Sequence, residues 1–151
     1  MVTRPFPLEI LKTLSKTRSD QASRKLGQVN RRHNEEQKKL DMLIRFREDY
    51  EGRYQAVMQV GGAFETLMNF QHFLGRLDEA VRQQQVVVAQ VGSEVSQGQV
   101  TVQKAHRQVR SMEVLSERHC SKEQERTTRI EQKALDEQVG QKIAHLLSEA
   151  K

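Results

Sequence analysis

The feature that most constrains this chain is an apolar residue that recurs every three or four positions over more than six heptads. Twelve of the fourteen residues at these positions are apolar, and the set is Leu67, Phe70, Leu74, Leu77, Val81, Gln84, Val88, Val91, Val95, Gly98, Val102, Ala105, Val109 and Met112. This spacing places all of them on one side of an α-helix, as in the seam of a coiled coil. The pattern therefore predicts a long helix that packs against a partner helix.

A second seam of the same spacing lies nearer the N-terminus, before residue 60. It consists of Ala22, Leu26, Val29, His33, Glu36, Leu40, Leu43, Arg47, Tyr50, Tyr54 and Val57. Gly61 and Gly62 separate the two seams, and each glycine costs about 1 kcal/mol relative to alanine inside a helix. We therefore predict an all-α fold in which two long helices form an antiparallel coiled-coil hairpin, a rod. The expected organisation is a single helical hairpin over residues 1–151, with helix one over about 7–59, a turn at about 60–63 and helix two over about 64–147.

Three segments depart from the regular seam pattern. Leu8, Leu11 and Leu14 lie out of register, which predicts a stutter or a frayed first segment. The β-branched run 86–88 has glutamine-rich flanks with helical spacing, so we interpret it as helix. After Met112 the period weakens, and we expect a helix that continues past its partner and frays or becomes disordered. A looser stripe remains there, formed by Leu115, Ile130, Leu135, Val139, Ile143, Leu146 and Leu147.

A turn near residues 61–62 would pair residue i with roughly residue 123 − i. This register sets Tyr50 beside Phe73 and Phe46 beside Leu77. Residues 1–40 carry ten Lys and Arg against four Asp and Glu, whereas residues 41–103 carry five against eight. The predicted hairpin therefore has a basic pole at its helix ends and an acidic region at its turn.

The predicted hairpin and the spacing of its histidines argue against an enzyme or a metal-binding protein. A two-helix hairpin offers no deep pocket for catalysis, and the five histidines share no ligand spacing with Cys120, the sole cysteine. We therefore expect no catalytic residue, cofactor or metal. No apolar run is long enough to span a bilayer, and residues 1–5 do not resemble a signal peptide, which predicts a soluble or at most peripheral protein. Because a single cysteine cannot form an internal disulfide, we expect the reducing cytoplasm as its compartment. The net charge of +5 permits acidic proteins, nucleic acid or an anionic membrane as partners.

More large apolar residues lie near the turn than the seams require. Phe46, Phe73 and Ala80 stand outside the seam positions but close to seam residues in the expected register. One interpretation is that they widen the core near the turn. The other is an exposed apolar and aromatic patch that binds a protein, which we favour.

Two stretches carry a resemblance to a known family. Residues 35–50, with the run Leu40-Asp41-Met42-Leu43-Ile44-Arg45-Phe46, and residues 68–85, with Met68-Asn69-Phe70-Gln71-His72-Phe73-Leu74, resemble the FliJ family. These proteins are small cytoplasmic components of the bacterial flagellar type III export apparatus. The resemblance covers residues 8–112 and is compositional beyond them. It implies a rod similar to the coiled-coil shaft of the rotary ATP synthase γ subunit, set in the ring of the export ATPase, at the cytoplasmic face of the inner membrane.

The resemblance also implies partners and binding sites. The partners would be the export ATPase ring, the export-gate membrane protein FlhA and export chaperones, with motility as the outcome. The positions that match the family's gate-binding surface form what we call the gate patch, namely Leu43, Phe46, Tyr50, Phe73, Leu77 and Ala80. Lys39 and Gln84 stand where other members carry different polar residues. The basic pole would enter the ATPase ring, and its candidate residues form what we call the basic patch, namely Arg24, Lys25, Arg31 and Arg32.

Two alternatives stay open from the residues. An adaptor of a related virulence secretion system would share the same hairpin. A helical hairpin that binds nucleic acid would use the same basic residues, and its binding would depend steeply on salt.

Overall fold

The computed structural model describes residues 3–151 and contains two helices. Helix α1 spans Glu9–Val60, with 52 residues, and helix α2 spans Phe64–Glu149, with 86 residues. Residues 86–88 are helical, and no strand occurs in the described part of the chain. The predicted all-α class with two long antiparallel helices is confirmed. Met1 and Val2, which belong to the segment tested for a signal peptide, lie outside the described residues.

The turn between the helices is built by the two adjacent glycines. Gly61 has a φ of 78°, in the left-handed region that side chains with a Cβ disfavour. Its N–H donates to the carbonyl of Met58 at 3.3 Å, and the N–H of Gly62 donates to the carbonyl of Val57 at 3.1 Å. These two bonds form a Schellman motif, which satisfies the last carbonyls of α1 and ends the helix there.

The helices divide into two compact units. One, the turn unit, is Asp20–Lys104, and the other, the terminal unit, consists of the chain up to Ser19 together with Ala105–Lys151. Within the turn unit the helices run antiparallel, since Tyr50 lies 4.5 Å from Phe73 between ring centroids while Arg32 bonds to Glu94. The expected neighbourhood of Tyr50 and Phe73 is confirmed.

The core of the turn unit follows the predicted seams. Every seam residue within this unit is half-buried or buried, including the polar ones. Three apolar side chains are the most enclosed: Leu40 and Leu77 are each 7% exposed and Val91 is 0% exposed. This core consists of one row of side chains between the two helices and therefore needs few apolar residues per turn. A chain with only 36% hydrophobic residues can supply them.

The terminal unit departs from one sequence-based expectation, the stutter at the start of α1, and agrees with another, a helix α2 that continues past its partner. Its buried positions on α1 are Ser15 and Ser19, which continue the 4-3 spacing without a stutter, and Leu11 and Leu14 are exposed. The helix α2 is continuous to Glu149, and every residue from 128 onward is exposed. The looser apolar stripe that we expected after Met112 is therefore not covered by the described chain.

The start of α1 in the terminal unit is held by polar contacts with α2. Lys12 donates to the hydroxyl of Ser116 at 3.4 Å, and the ring of His119 donates to the carbonyl of Arg4 at 3.1 Å. Glu123 accepts a hydrogen bond from Arg126 at 2.8 Å. Although desolvation acts to raise it, the pKa of Glu123 lies below its ordinary value because Arg126 and the backbone of Arg4 donate to the carboxylate.

Candidate protein-binding surfaces

An aromatic cluster lies close to the turn, where both helices contribute rings. Tyr50 is its centre, with ring centroids 4.9 Å from Phe70 and 4.5 Å from Phe73. Phe73 also meets Phe46 edge-on at 6.2 Å, and Tyr54 approaches Phe70 at 6.0 Å. Tilted and edge-on geometries are the favourable ones for aromatic pairs. The cluster thus joins the helices, and three of its rings, those of Phe46, Tyr50 and Phe73, belong to the gate patch.

The members of the gate patch differ in how far they reach solvent. Phe46 is 50% exposed, and Leu77 is buried in the core. The remaining members are half-buried, and they are Leu43, Tyr50, Phe73 and Ala80. Phe73 is less accessible than we expected because its ring lies against Tyr50. Phe46 is therefore the patch residue that is best placed to contact another protein.

A shallow apolar cleft lies beside Phe46. Its volume is about 370 Å³, and its lining consists of Lys39, Met42, Leu43, Phe46 and Gln84. Met42 is 66% exposed, and it was not among the residues predicted for the gate patch. Its position four residues before Phe46 on the same helix was the signal that could have identified it.

Lys39 and Gln84 border this cleft through a hydrogen-bond network that centres on Glu36. The amide of Gln84 donates to the backbone carbonyl of Glu36 at 2.9 Å and to its carboxylate at 2.6 Å. Lys39 donates to the same carboxylate at 3.2 Å. The hydrogen bond from Gln84, followed by that from Lys39, holds the pKa of Glu36 below its ordinary value of 4.5. Gln84 therefore bridges the two helices and fixes the cleft wall.

A second bridge between the helices lies next to the aromatic cluster. The guanidinium of Arg47 donates to Asp78 on α2 and to Glu51 on its own helix, the latter at 2.8 Å. The bond to Asp78, with the charges of both carboxylates, raises the pKa of Arg47 above its ordinary value. The 4-3 spacing placed Arg47 in the seam but did not predict these partners, because spacing along one helix does not show which charged residue of the other helix faces it.

The residues of the basic patch all lie on α1 in the turn unit, and all are exposed. Arg32 is engaged across the helix pair, since it lies 3.2 Å from Glu94. Arg24, Lys25 and Arg31 have no ion-pair partner among the described residues. Three cations are thus available to an acidic surface, and the fourth helps to hold the hairpin.

Two further properties limit what the described residues can do. No group of three or more His, Cys, Asp and Glu side chains is placed to hold a metal ion within residues 3–151. Neither α1 nor α2 contains a stretch that is long and apolar enough to cross a membrane.

Comparison with known proteins identifies the family. The sequence model described as "Flagellar FliJ protein" matches residues 4–146, which is nearly the whole chain. The chain belongs to the FliJ family. FliJ proteins of Salmonella typhi and Escherichia coli K12 are 26% and 25% identical to it over 130 residues, which cover 86% of this chain and 88% of each relative. No solved structure gives a significant match. The resemblance stated from the sequence is confirmed, and the FliJ match extends into the terminal unit.

Proposed function

We propose that this chain is a component of the bacterial flagellar type III export apparatus that binds the export gate protein FlhA and the export ATPase ring, and so promotes flagellar protein export and motility. Membership of the FliJ family supports the general role in flagellar export. It favours a flagellar over a virulence system, because both relatives are flagellar proteins. The chain acts at the cytoplasmic face of the inner membrane, through its partners, and also meets export chaperones. Its work is binding and not catalysis.

The observation that carries the gate proposal is the exposure of Phe46. A phenylalanine ring that is half exposed beside an apolar cleft leaves apolar area in water, and aromatic residues, phenylalanine among them, are enriched at protein interfaces. The ring of Phe46 contacts those of Tyr50 and Phe73, at 6.4 and 6.2 Å between centroids, so part of its side-chain freedom is already lost before a partner binds. The gate patch thus offers a supported aromatic anchor.

The gate proposal is tested with the full chain and the cytoplasmic part of FlhA. We expect Phe46→Ala to weaken binding about tenfold or more, by isothermal titration calorimetry. Met58→Ala is the matched control, since Met58 is 53% exposed on the same helix but outside the gate patch, and it should bind like the unaltered chain. Equal affinities for the two variants would contradict the assignment of the patch.

The ATPase proposal rests on the charges of Arg24, Lys25 and Arg31, which lack partners among the described residues and so remain available to an acidic surface. Reversal of these three charges to Glu should weaken binding to the export ATPase and reduce its salt dependence. Arg32 is left intact because its loss would also break the contact with Glu94.

The matched control for the ATPase test carries the same change in net charge elsewhere in the turn unit. It reverses Arg45, Arg53 and Arg76, which are exposed and outside the basic patch. If both triple variants lose affinity equally, net charge alone drives association and the basic patch has no special role. If neither does, the docking surface lies elsewhere.

A further inference from the structure

A second cleft opens between the helices of the turn unit, beside the basic patch. It has a volume of about 260 Å³, and its apolar wall is formed by Ala22, Leu26, Val29 and Gly98. Two seam positions carry small residues here, Ala22 on α1 and Gly98 on α2, where most neighbouring seam positions carry leucine or valine. The two helices therefore cannot fill the seam at this level by themselves.

The packing around Gly98 shows how the cleft arises. A Cβ atom at Gly98 would lie only 3.0 Å from the end of the Leu26 side chain, so Leu26 approaches the backbone of α2 closely. Leu26 covers the glycine, and the space beside Ala22 stays open. The cleft is thus a property of the residue choice at two seam positions.

The rim of the cleft carries charge, and its sign favours an acidic occupant. Glu94 lies on the rim, but Arg32 neutralises it at 3.2 Å. Lys25 also lies on the rim and has no ion-pair partner among residues 3–151. Lys25 belongs to the basic patch and is adjacent in sequence to Arg24, another of its members. An apolar cleft with the free ammonium of Lys25 on its rim suits an apolar side chain of a partner protein that also carries an Asp or Glu close to that side chain.

The position of the cleft between two helices indicates a protein side chain as its occupant, since side chains of both helices line it. Holes along a helix pair accept single side chains from a neighbouring element, as the knobs of coiled coils do. One leucine or methionine side chain is the appropriate occupant.

We propose that this cleft receives one apolar side chain from the acidic protein that binds the basic patch, and that this contact fixes the position of the export ATPase on α1. The inference rests on the ATPase binding proposed above and adds an anchor to it. Charge attracts an acidic surface over a distance but allows it to bind at several positions along α1. A side chain inserted in the cleft fixes one of these positions.

The test fills the cleft from within. Ala22→Leu should occupy it, and Gly98→Ala should push the end of Leu26 into it. Filling a cavity and replacing a helical glycine are usually neutral or stabilising, so we expect an unchanged or higher Tm for the full chain. Binding to the purified export ATPase should nevertheless fall about tenfold for Ala22→Leu, and less for Gly98→Ala. The slope of affinity against salt should stay unchanged, because no charge is altered.

The control carries the same chemical change away from the cleft. Ala89 is exposed on α2 and does not line the cleft, so Ala89→Leu should bind the ATPase within about twofold of the unaltered chain. Normal binding of Ala22→Leu at an undiminished Tm would overturn the anchor while leaving the ATPase proposal intact. If Ala22→Leu lowers the Tm, normal binding of Gly98→Ala overturns the anchor. Failure of the unaltered chain to bind the ATPase would overturn both.

Discussion

Truncation of Phe46 and Phe73 to alanine separates recognition from packing in the gate patch. A fully buried phenylalanine costs about 3 to 5 kcal/mol when it is truncated. Phe46 is 50% exposed, and its nearest ring is 6.2 Å away, so its truncation should cost only about 1 kcal/mol. Phe73 is half-buried and lies 4.5 Å from Tyr50, so its truncation should cost about 2 kcal/mol.

These costs are measurable by thermal unfolding followed by circular dichroism. In a chain of this size 1 kcal/mol corresponds to a shift in Tm of about 2 to 4 °C, so Phe73→Ala should melt about 2 to 4 °C below Phe46→Ala. Gate binding should follow a different order, with Phe46→Ala losing at least as much affinity as Phe73→Ala. Leu77 lies in the core, so Leu77→Ala should lower both the Tm and the affinity for the gate protein. A Tm for Phe46→Ala as low as that of Phe73→Ala would show that Phe46 contributes to packing as much as Phe73 does. That result would contradict the proposal that Phe46 is an exposed anchor for the gate protein.

Three further predictions concern the contacts that hold the turn unit together. Gly61→Ala should destabilise the chain by about 1 kcal/mol in urea unfolding, since an alanine must adopt a φ of 78° there. Asp78→Ala should lower the Tm only slightly, and less at high salt, because both partners of its contact with Arg47 are more than one third exposed and water screens their charges. The pKa of Glu36 is lowered by folding, so its contribution is present above pH 4.5 and is lost as the pH falls through the folded-state value. Gln84→Leu should therefore reduce the acid dependence of stability measured between neutral and low pH.

The sequence predicted the turn unit well because its packing follows one simple rule. Apolar residues at 4-3 spacing must share a side of the helix, and the glycine pair must end α1. The same rule could not explain why polar residues occupy seam positions. Glu36 and Gln84 bond to each other across the helix pair, and Arg47 reaches Asp78. Such pairs depend on the relative rotation of two helices, which a single-helix pattern does not contain.

The candidate sites were harder to predict for the same reason. Position along a helix fixes which side a residue lies on, but exposure depends on the facing helix. Phe46 and Phe73 are both off the seam, yet Phe46 is the more exposed of the two, because Phe73 packs more closely on the ring of Tyr50. Likewise, nothing in the charge pattern distinguished Arg32 from Arg31, although Glu94 engages only the former.

The terminal unit shows what happens when the apolar rule is applied where polar residues form the seam. Leu8, Leu11 and Leu14 lie out of register and predicted a stutter, whereas the structure keeps the 4-3 spacing by burying Ser15 and Ser19. Serine is small enough to let two helices approach closely, but it buries little apolar area, so this unit gains less hydrophobic stabilisation than one with Leu40, Leu77 and Val91 at its core. Its helices are joined instead by directional contacts such as the one between Lys12 and Ser116, whose net contribution is only about 0.5 to 1.5 kcal/mol each. Regions with few buried apolar contacts open most readily, so we expect the part of α1 that carries the exposed leucines to separate from α2 before the turn unit opens.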